Sequence, residues 1–184
     1  MIAHGATTDH SRRCNPIEGI AIRRATGEDE AFLWRMLYYA SRMDRQPDRV
    51  PDDARRDSYL STYVEGWGRA GDLGCIAVDA ASGQPLGAAW LRALPKPIGP
   101  EVEGLPEVAT AVLPGYEGRG IGTRLLTCLV DTAQGVYPAL ALSVRDDNPA
   151  LRLYERVGFV IVGEIVNRVG GRSHVMRLDL GAKS

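Results

Sequence analysis

Residues 109–126, Ala-Thr-Ala-Val-Leu-Pro-Gly-Tyr-Glu-Gly-Arg-Gly-Ile-Gly-Thr-Arg-Leu-Leu, constrain the fold more than any other stretch of the chain. They read as a short apolar strand stopped at Pro114, a glycine-rich turn, and the start of a helix. Glycines at 118, 120 and 122 keep side chains out of the turn, so backbone N–H groups can crowd around an oxyanion. The first turn of the helix adds its own unpaired N–H groups and the positive end of its dipole. The stretch therefore predicts a mixed α/β construction and a site for a phosphate or pyrophosphate.

Spacing decides which phosphate ligand. A P-loop needs Gly-Lys-Ser/Thr at its end, and here Gly122 runs directly into Thr123. A dinucleotide fingerprint needs G-x-G-x-x-G directly after the strand; its third glycine falls on Thr123, and Pro114 to Glu117 intervene. The x-x-Gly-x-Gly spacing after a Val-x-Pro strand end instead resembles the acetyl-CoA pyrophosphate loop of the GNAT superfamily of N-acetyltransferases. That loop usually opens with Gln or Arg, where this chain has Glu117. A carboxylate facing a pyrophosphate is unfavourable, so the Glu117 side chain is expected to face solvent. A second stretch, Asn148-Pro149-Ala150-Leu151-Arg152-Leu153-Tyr154-Glu155-Arg156-Val157-Gly158-Phe159, is similar to the other signature of the superfamily, Asn-x-x-Ala-x-x-Leu-Tyr-x-x-x-Gly-Phe, at every named position.

The resemblance implies an α/β (α+β) fold: a mixed, mostly antiparallel sheet of six to seven strands, its central parallel pair splayed for CoA, flanked by about four helices. It implies an acetyl-CoA-dependent N-acetyltransferase that moves an acetyl group to a primary amine by direct attack on the thioester. The acceptor would be a small-molecule or protein amine. Carried over by position, the backbone of Gly118, Arg119, Gly120, Ile121, Gly122 and Thr123 would hold the phosphates, with Arg119 and Arg124 as side-chain partners. Ala111, Val112 and Leu113 would pair with the pantetheine arm, and Asn148 would contact the pantetheine or sulfur end besides capping its helix. Tyr154 matches the tyrosine that commonly serves as general acid. Glu107, at the mouth of the central strand, is the leading base, ahead of Glu101 and Glu103.

The chemistry asks for such groups. An alkylammonium with a pKa near ~10.4 is less than ~0.1% neutral at pH 7, so a base or a water chain helps. The leaving thiol has a pKa of about 8.5, within reach of a tyrosine hydroxyl near ~10. Two other readings compete: an acyl-CoA-binding module that has lost the chemistry, and a nucleotide-dependent oxidoreductase using Asp146 or Asp147 on a ribose, which the broken glycine spacing opposes.

Composition narrows the setting. The 184 residues suit one domain, 45% are hydrophobic and 24% charged, and a net charge of −1 gives no broad pull toward nucleic acid or an anionic membrane. Three scattered cysteines fit a reducing cytoplasm. No apolar run approaches the ~20 residues of a membrane span, and the first residues lack the apolar core of a signal peptide. Residues 1–18 read as a disordered leader, with His4, His10 and Cys14 as part of that tail rather than a metal tract. Residues 19–184 read as the single domain, and a homodimer through edge strands or the closing hairpin is compatible with the resemblance.

In chain order, 19–24 is a strand, and Thr26 with Asp29 resembles a capping box opening a helix to about Ser41. Its apolar face is Leu33, Met36, Leu37 and Ala40; Trp34, Tyr38 and Ser41 form a neighbouring stripe, read as core in preference to an acceptor pocket. A second helix is expected from about Asp53 to Trp67, in the region that roofs the acceptor site of GNAT proteins. Strands at 73–78 and 86–94 make a hairpin whose small Gly87, Ala88 and Ala89 suggest a close neighbour. Residues 95–104 are a loop long enough to rim a site. The central strand spans 106–113, the next helix ends near Gly135, and 139–144 is a buried strand joined by a right-handed crossover. Strands at 159–166 and 173–180 close the fold. Cys75 and Cys128 read as packing residues.

Overall fold

The computed structural model describes residues 17–181, so the leader expected over 1–18, with His4, His10 and Cys14, lies almost wholly outside the described residues. Ile17 and Glu18 are described, and Ile17 packs on the core beside β1. Seven strands form one sheet: β1 (Ile20–Arg24), β2 (Leu73–Asp79), β3 (Pro85–Arg92), β4 (Glu107–Val112), β5 (Ala139–Arg145), β6 (Val160–Val166) and β7 (Arg172–Asp179). Their order is β1-β2-β3-β4-β5-β7-β6. Every neighbouring pair is antiparallel except β4 and β5, which are parallel. The helices are α1 (Glu30–Ala40), α2 (Asp52–Arg56), α3 (Ile121–Ala133) and α4 (Leu151–Val157).

Alternation along the strands assigns the two faces. On β3, Ala89 and Leu91 join the core under α3, while Ala88 and Trp90 join the core under α1. The α3 stripe of Ile121, Leu125, Leu126, Leu129 and Ala133 is buried on one face, and Leu33, Trp34, Met36 and Leu37 of α1 cover the other. Trp34 is thus core, as expected, although Ser41 from the same stripe reaches the central cavity. The smallness of Gly87 has a steric cause: a Cβ there would sit 2.8 Å from the Ala111 carbonyl oxygen and 3.3 Å from Leu125. The Thr26–Asp29 pairing forms, with the Thr26 N–H donating to Asp29 at 2.8 Å, and it opens a short 3₁₀ turn that leads into α1.

The helix expected over 53–67 is interrupted. α2 stops at Asp57, whose backbone is extended (ψ 114°). The Asp57 carboxylate accepts the N–H groups of Tyr59 (3.0 Å) and Leu60 (2.9 Å), so it caps a new 3₁₀ turn over Leu60–Tyr63 and does not let the first helix continue. Periodicity alone cannot see that competition. β3 then clamps the turn: Arg92 donates to the Thr62, Glu65 and Gly66 carbonyls while paired with buried Asp72, and the Trp90 indole donates to the Tyr63 carbonyl at 3.2 Å.

Candidate active site

The two edges of β4 set the geometry. Toward β3, six consecutive register pairs run from Arg92↔Glu107 to Gly87↔Val112. Toward β5, the register among the described residues is the single pair Glu107↔Ala141. Hydrogen-bond parity tells which peptide groups face the resulting gap. Leu113 N–H donates to Leu86 on β3, whereas Ala141 N–H of β5 donates to Pro106. Alternation therefore turns the odd-numbered peptide groups to β3, pairs Val108 with β5 at Ala141, and leaves those of Thr110 and Val112 to the gap. Of the three residues expected along a pantetheine arm, Val112 presents its backbone there. Ala111 turns its groups to β3, Leu113 donates its N–H to β3 while its carbonyl accepts the Tyr116 N–H, and Thr110 is an addition that only the register reveals.

Beyond the gap, the glycine turn runs exposed from Glu117 to Gly120 into α3. Gly118 (φ 74°) and Gly120 (φ 80°) lie in the left-handed region, and Gly120 caps the thirteen-residue helix. Gly122 meets a different demand, since a Cβ there would come within 3.1 Å of Leu153 on α4. The first intrahelical N–H bond into this turn comes from Arg124 to Gly120. The N–H groups of Ile121, Gly122 and Thr123 thus lack helical acceptors. Glu117 is exposed as expected, and its carboxylate folds back to accept the Gly115 N–H at 2.7 Å. Arg119 stacks on Tyr116, its guanidinium carbon 5.1 Å from the ring, while Arg124 is tied to the Ile20 carbonyl at 3.1 Å. Arg119 is the better placed of the two to meet a phosphate.

A cavity of about 690 Å³ opens where β4 and β5 part. Tyr154, Asn148, Thr110 and Ser143 line it on the strand side, and Tyr59, Tyr63 and Ile98 on the other. The 95–104 loop is therefore part of the rim. Tyr154 is buried against Phe159, and no described side chain or backbone group lies within hydrogen-bond reach of its hydroxyl. Burial pushes its pKa up, so it stays protonated across the working range. Asn148 faces the cavity but does not cap its helix as expected: it accepts the Ala150 N–H at 3.0 Å and its carbonyl accepts the Leu151 N–H, which makes a turn ahead of α4, and the N-cap position falls on Ala150.

Glu107 is 2% exposed and lies beneath the cavity floor. One carboxylate oxygen receives the hydroxyls of Tyr63 and, at 3.4 Å, Tyr59; the other receives the Ile98 N–H at 3.0 Å. Burial raises its pKa, with the three donors pulling the other way. Burial likewise pushes Tyr59 up to about 12 and Tyr63 well above its ordinary value. Tyr154 lines the cavity directly, whereas Glu107 is not among its lining residues and reaches it only through Tyr59 and Tyr63. Glu101 packs instead against Gly99 and Gly163. The i, i+4 spacing of Tyr59 and Tyr63 would put both rings on one side of an α-helix, but the segment is a 3₁₀ turn, and their target carboxylate, more than forty residues away, leaves no local signal.

Over the mouth, Arg168 from the β6–β7 turn bridges to Asp57 at 2.6 Å and lies over Tyr59. Burial would raise Asp57, but the Leu60 and Tyr59 N–H groups and Arg168 together hold it below the usual carboxylate range. No described group of three or more His, Cys, Asp or Glu could hold a metal ion, and no described helix is long and apolar enough to cross a membrane.

Comparison with known proteins gives the same picture. The Acetyltransferase (GNAT) family matches residues 34–159. The N-alpha-acetyltransferase RimI of Mycobacterium tuberculosis is 48% identical over 75 residues, 39% of this chain and 46% of that protein, so the match spans about half the length of this relative. Among solved structures, a GNAT-family acetyltransferase from Bordetella pertussis superposes with a TM-score of 0.64 at 20% identity, covering 89% of this chain and 97% of its own. The yncA protein of Salmonella typhimurium, solved with its cofactor acetyl-CoA, gives 0.61 at 21% identity, covering 90% and 96%. At these identities the two structures show a shared fold.

Proposed function

Because the chain belongs to the GNAT acetyltransferase family, we propose that it is an N-acetyltransferase using acetyl-CoA to acetylate a primary amine. The observation that carries this reading is the parting of β4 from β5 after one register pair, directly ahead of an exposed glycine turn and a helix N-terminus. The donor set fits an elongated thioester with a diphosphate at one end: outward peptide groups along β4, then free N–H groups at Ile121, Gly122 and Thr123. When bound, acetyl-CoA supplies an activated acyl group on a good leaving thiol.

The chain's own residues supply the rest. The turn from Gly118 to Thr123 grips the diphosphate, each charge-assisted bond contributing roughly 1.5–3 kcal/mol. Peptide groups of Thr110 and Val112 align the arm in the gap, and Asn148 steadies its sulfur end. Tyr59 accepts a proton from the incoming ammonium as its own hydroxyl proton passes to Glu107, a base strengthened by burial. Tyr154 holds the proton that the departing sulfur needs; its raised pKa makes this transfer more uphill than for an exposed tyrosine. The cytoplasm is the setting this reading favours.

The test is calorimetric titration with CoA and acetyl-CoA, paired with thiol release over a panel of amines. Binding in the micromolar range with amine-dependent thiol release is expected. Binding without turnover by any amine would favour an acyl-CoA-binding module, and no binding would remove the enzyme reading.

A further inference from the structure

The cavity has a basic lip that the acetyl-transfer reading leaves unused. A contiguous hollow of about 460 Å³ is lined by Arg42, Arg45, Arg49 and Arg145 against one carboxylate, Asp147. It shares Arg42, Arg49 and Arg145 with the main cavity, so the two lie side by side. In a chain of net charge −1 this is a strong local segregation of positive charge.

The arginines are not equally engaged. Arg45 and Arg49 lean on Asp44 (3.1 Å) and Asp53 (3.8 Å), carboxylates outside the lining, and Arg145 reaches Asp147 at 3.3 Å. Arg42 is different. One terminal nitrogen of its guanidinium is buried, has no hydrogen-bond partner among the described residues, and approaches Asp147 no closer than 3.8 Å. Buried guanidinium donors are ordinarily satisfied, because leaving one unmade forfeits its hydration. Arg42 follows the C-cap Ser41, and its left-handed backbone (φ 57°) ends α1 in the usual way, which fixes where its side chain leaves the helix. No residue of the phosphate-binding turn, 114–124, lines this space, so the lip is separate from the grip on the cofactor.

We propose that Arg42, with Arg145 and Arg49, binds an anionic oxygen group carried by the acyl acceptor, so that the substrate is a small amine bearing a carboxylate or phosphate and not a polycationic amine. The planar guanidinium matches either oxyanion in a bidentate way, which also fixes where the amine at the other end falls. This rests on the acetyl-transfer reading for its chemistry, but the anion site itself does not.

The experiment has two arms. In the first, α- and ω-amino acids, their methyl amides, aminoalkyl phosphates and spermidine are compared by thiol release. At least one anion-bearing amine is expected to exceed its neutral counterpart at least tenfold in kcat/KM, and the better of the carboxylate and phosphate series identifies the oxyanion. Arg42→Gln should erase that preference by raising the KM of the anion-bearing amine at least tenfold, toward that of its neutral counterpart. Arg42→Asn, which tolerates the left-handed backbone, and Arg145→Gln guard against a folding artefact read by thermal melting. Equal turnover of charged and neutral forms, or preference for spermidine, would overturn the proposal. In the second arm, acetate and inorganic phosphate are titrated into CoA-saturated protein and followed by NMR. Millimolar binding lost in Arg42→Gln supports the site even if no amine is acetylated; no difference between wild type and variant overturns it.

Discussion

Along its β3 side β4 is laddered from Glu107 to Val112, whereas along its β5 side it meets Ala141 once and then parts. The first edge is spent on the fold, and the second is the one proposed to take a ligand. The same division runs through the whole site. The cofactor half is built of backbone: outward peptide groups, left-handed glycines and a helix N-terminus. The half proposed for the acceptor is built of side chains brought from separate loops, with Tyr59 and Tyr63 from the 3₁₀ segment, Ile98 from the rim, Arg168 from the β6–β7 turn and Arg42 from the end of α1 all lining the cavity. Backbone recognition suits one invariant cofactor, and side-chain recognition suits an acceptor that differs from enzyme to enzyme.

The sharpest way to break this contrast is to remove a proton carrier without touching either binding half. Tyr154→Phe deletes a hydroxyl that has no described partner, so stability and acetyl-CoA affinity should hold. Turnover should fall by about 10²–10⁴-fold, the usual worth of a positioned acid. An unchanged kcat would free Tyr154 of that role. Glu107→Gln should cost about 10²-fold in kcat, because water can partly replace the base. The pH profile gives a second readout. Burial raises the pKa of Glu107, and the proposed base works deprotonated, so kcat/KM should rise with pH through a value above the ordinary 4.5. Stability has the opposite sign. Between 4.5 and the raised value the folded chain holds more protons than the unfolded one, so the contribution of Glu107 is full below 4.5 and is lost as pH rises through that window. The Gln variant should lose both slopes.

A pair of prolines tests the two edges of β4 directly. Proline removes a backbone donor, which is tolerated where that donor points out of the sheet. Val112→Pro deletes an N–H aimed at the gap, and acetyl-CoA affinity should drop by about tenfold for one lost hydrogen bond, with a small change in melting temperature. Ala111→Pro deletes an N–H aimed at β3 and leaves its β3 acceptor unpaired, so it should destabilise the sheet by roughly 1–3 kcal/mol, measurable by denaturant unfolding. Equal effects from the two would mean that the parity assigned from Leu113 and Ala141 is wrong.

The same contrast explains what the sequence made legible. The phosphate turn was readable because glycines at fixed offsets are a local requirement of the backbone, and the sheet with its splayed parallel pair followed from the resemblance that the turn carries. Tyr154 and Asn148 came with the second signature, and both line the cavity. The acceptor half was mostly hidden, because its contacts join residues distant in sequence: Arg168 to Asp57, Tyr63 to Glu107, Arg42 to Asp147. The break at Asp57 was missed because a carboxylate capping two downstream N–H groups interrupts a segment whose apolar spacing still reads as helix. Thr110 was missed because only pairing to a neighbour decides which way a peptide group turns.

The smallest effect expected is at the mouth. Arg168 is 43% exposed and its partner Asp57 28%, so their bridge is screened by solvent and contributes about 0–1 kcal/mol. Arg168→Gln should therefore shift thermal stability only slightly. What stability it does remove belongs to the ionised form of Asp57, whose folded-state pKa is held low. That contribution is present above the ordinary carboxylate value and fades as pH falls, so wild type and variant should converge under acid conditions. Arg168 also lies over Tyr59, whose hydroxyl approaches Glu107, so loosening it should raise the KM for the amine severalfold while leaving the KM for acetyl-CoA alone. A change confined to acetyl-CoA would place the β6–β7 turn on the cofactor side and dissolve the boundary between the two halves.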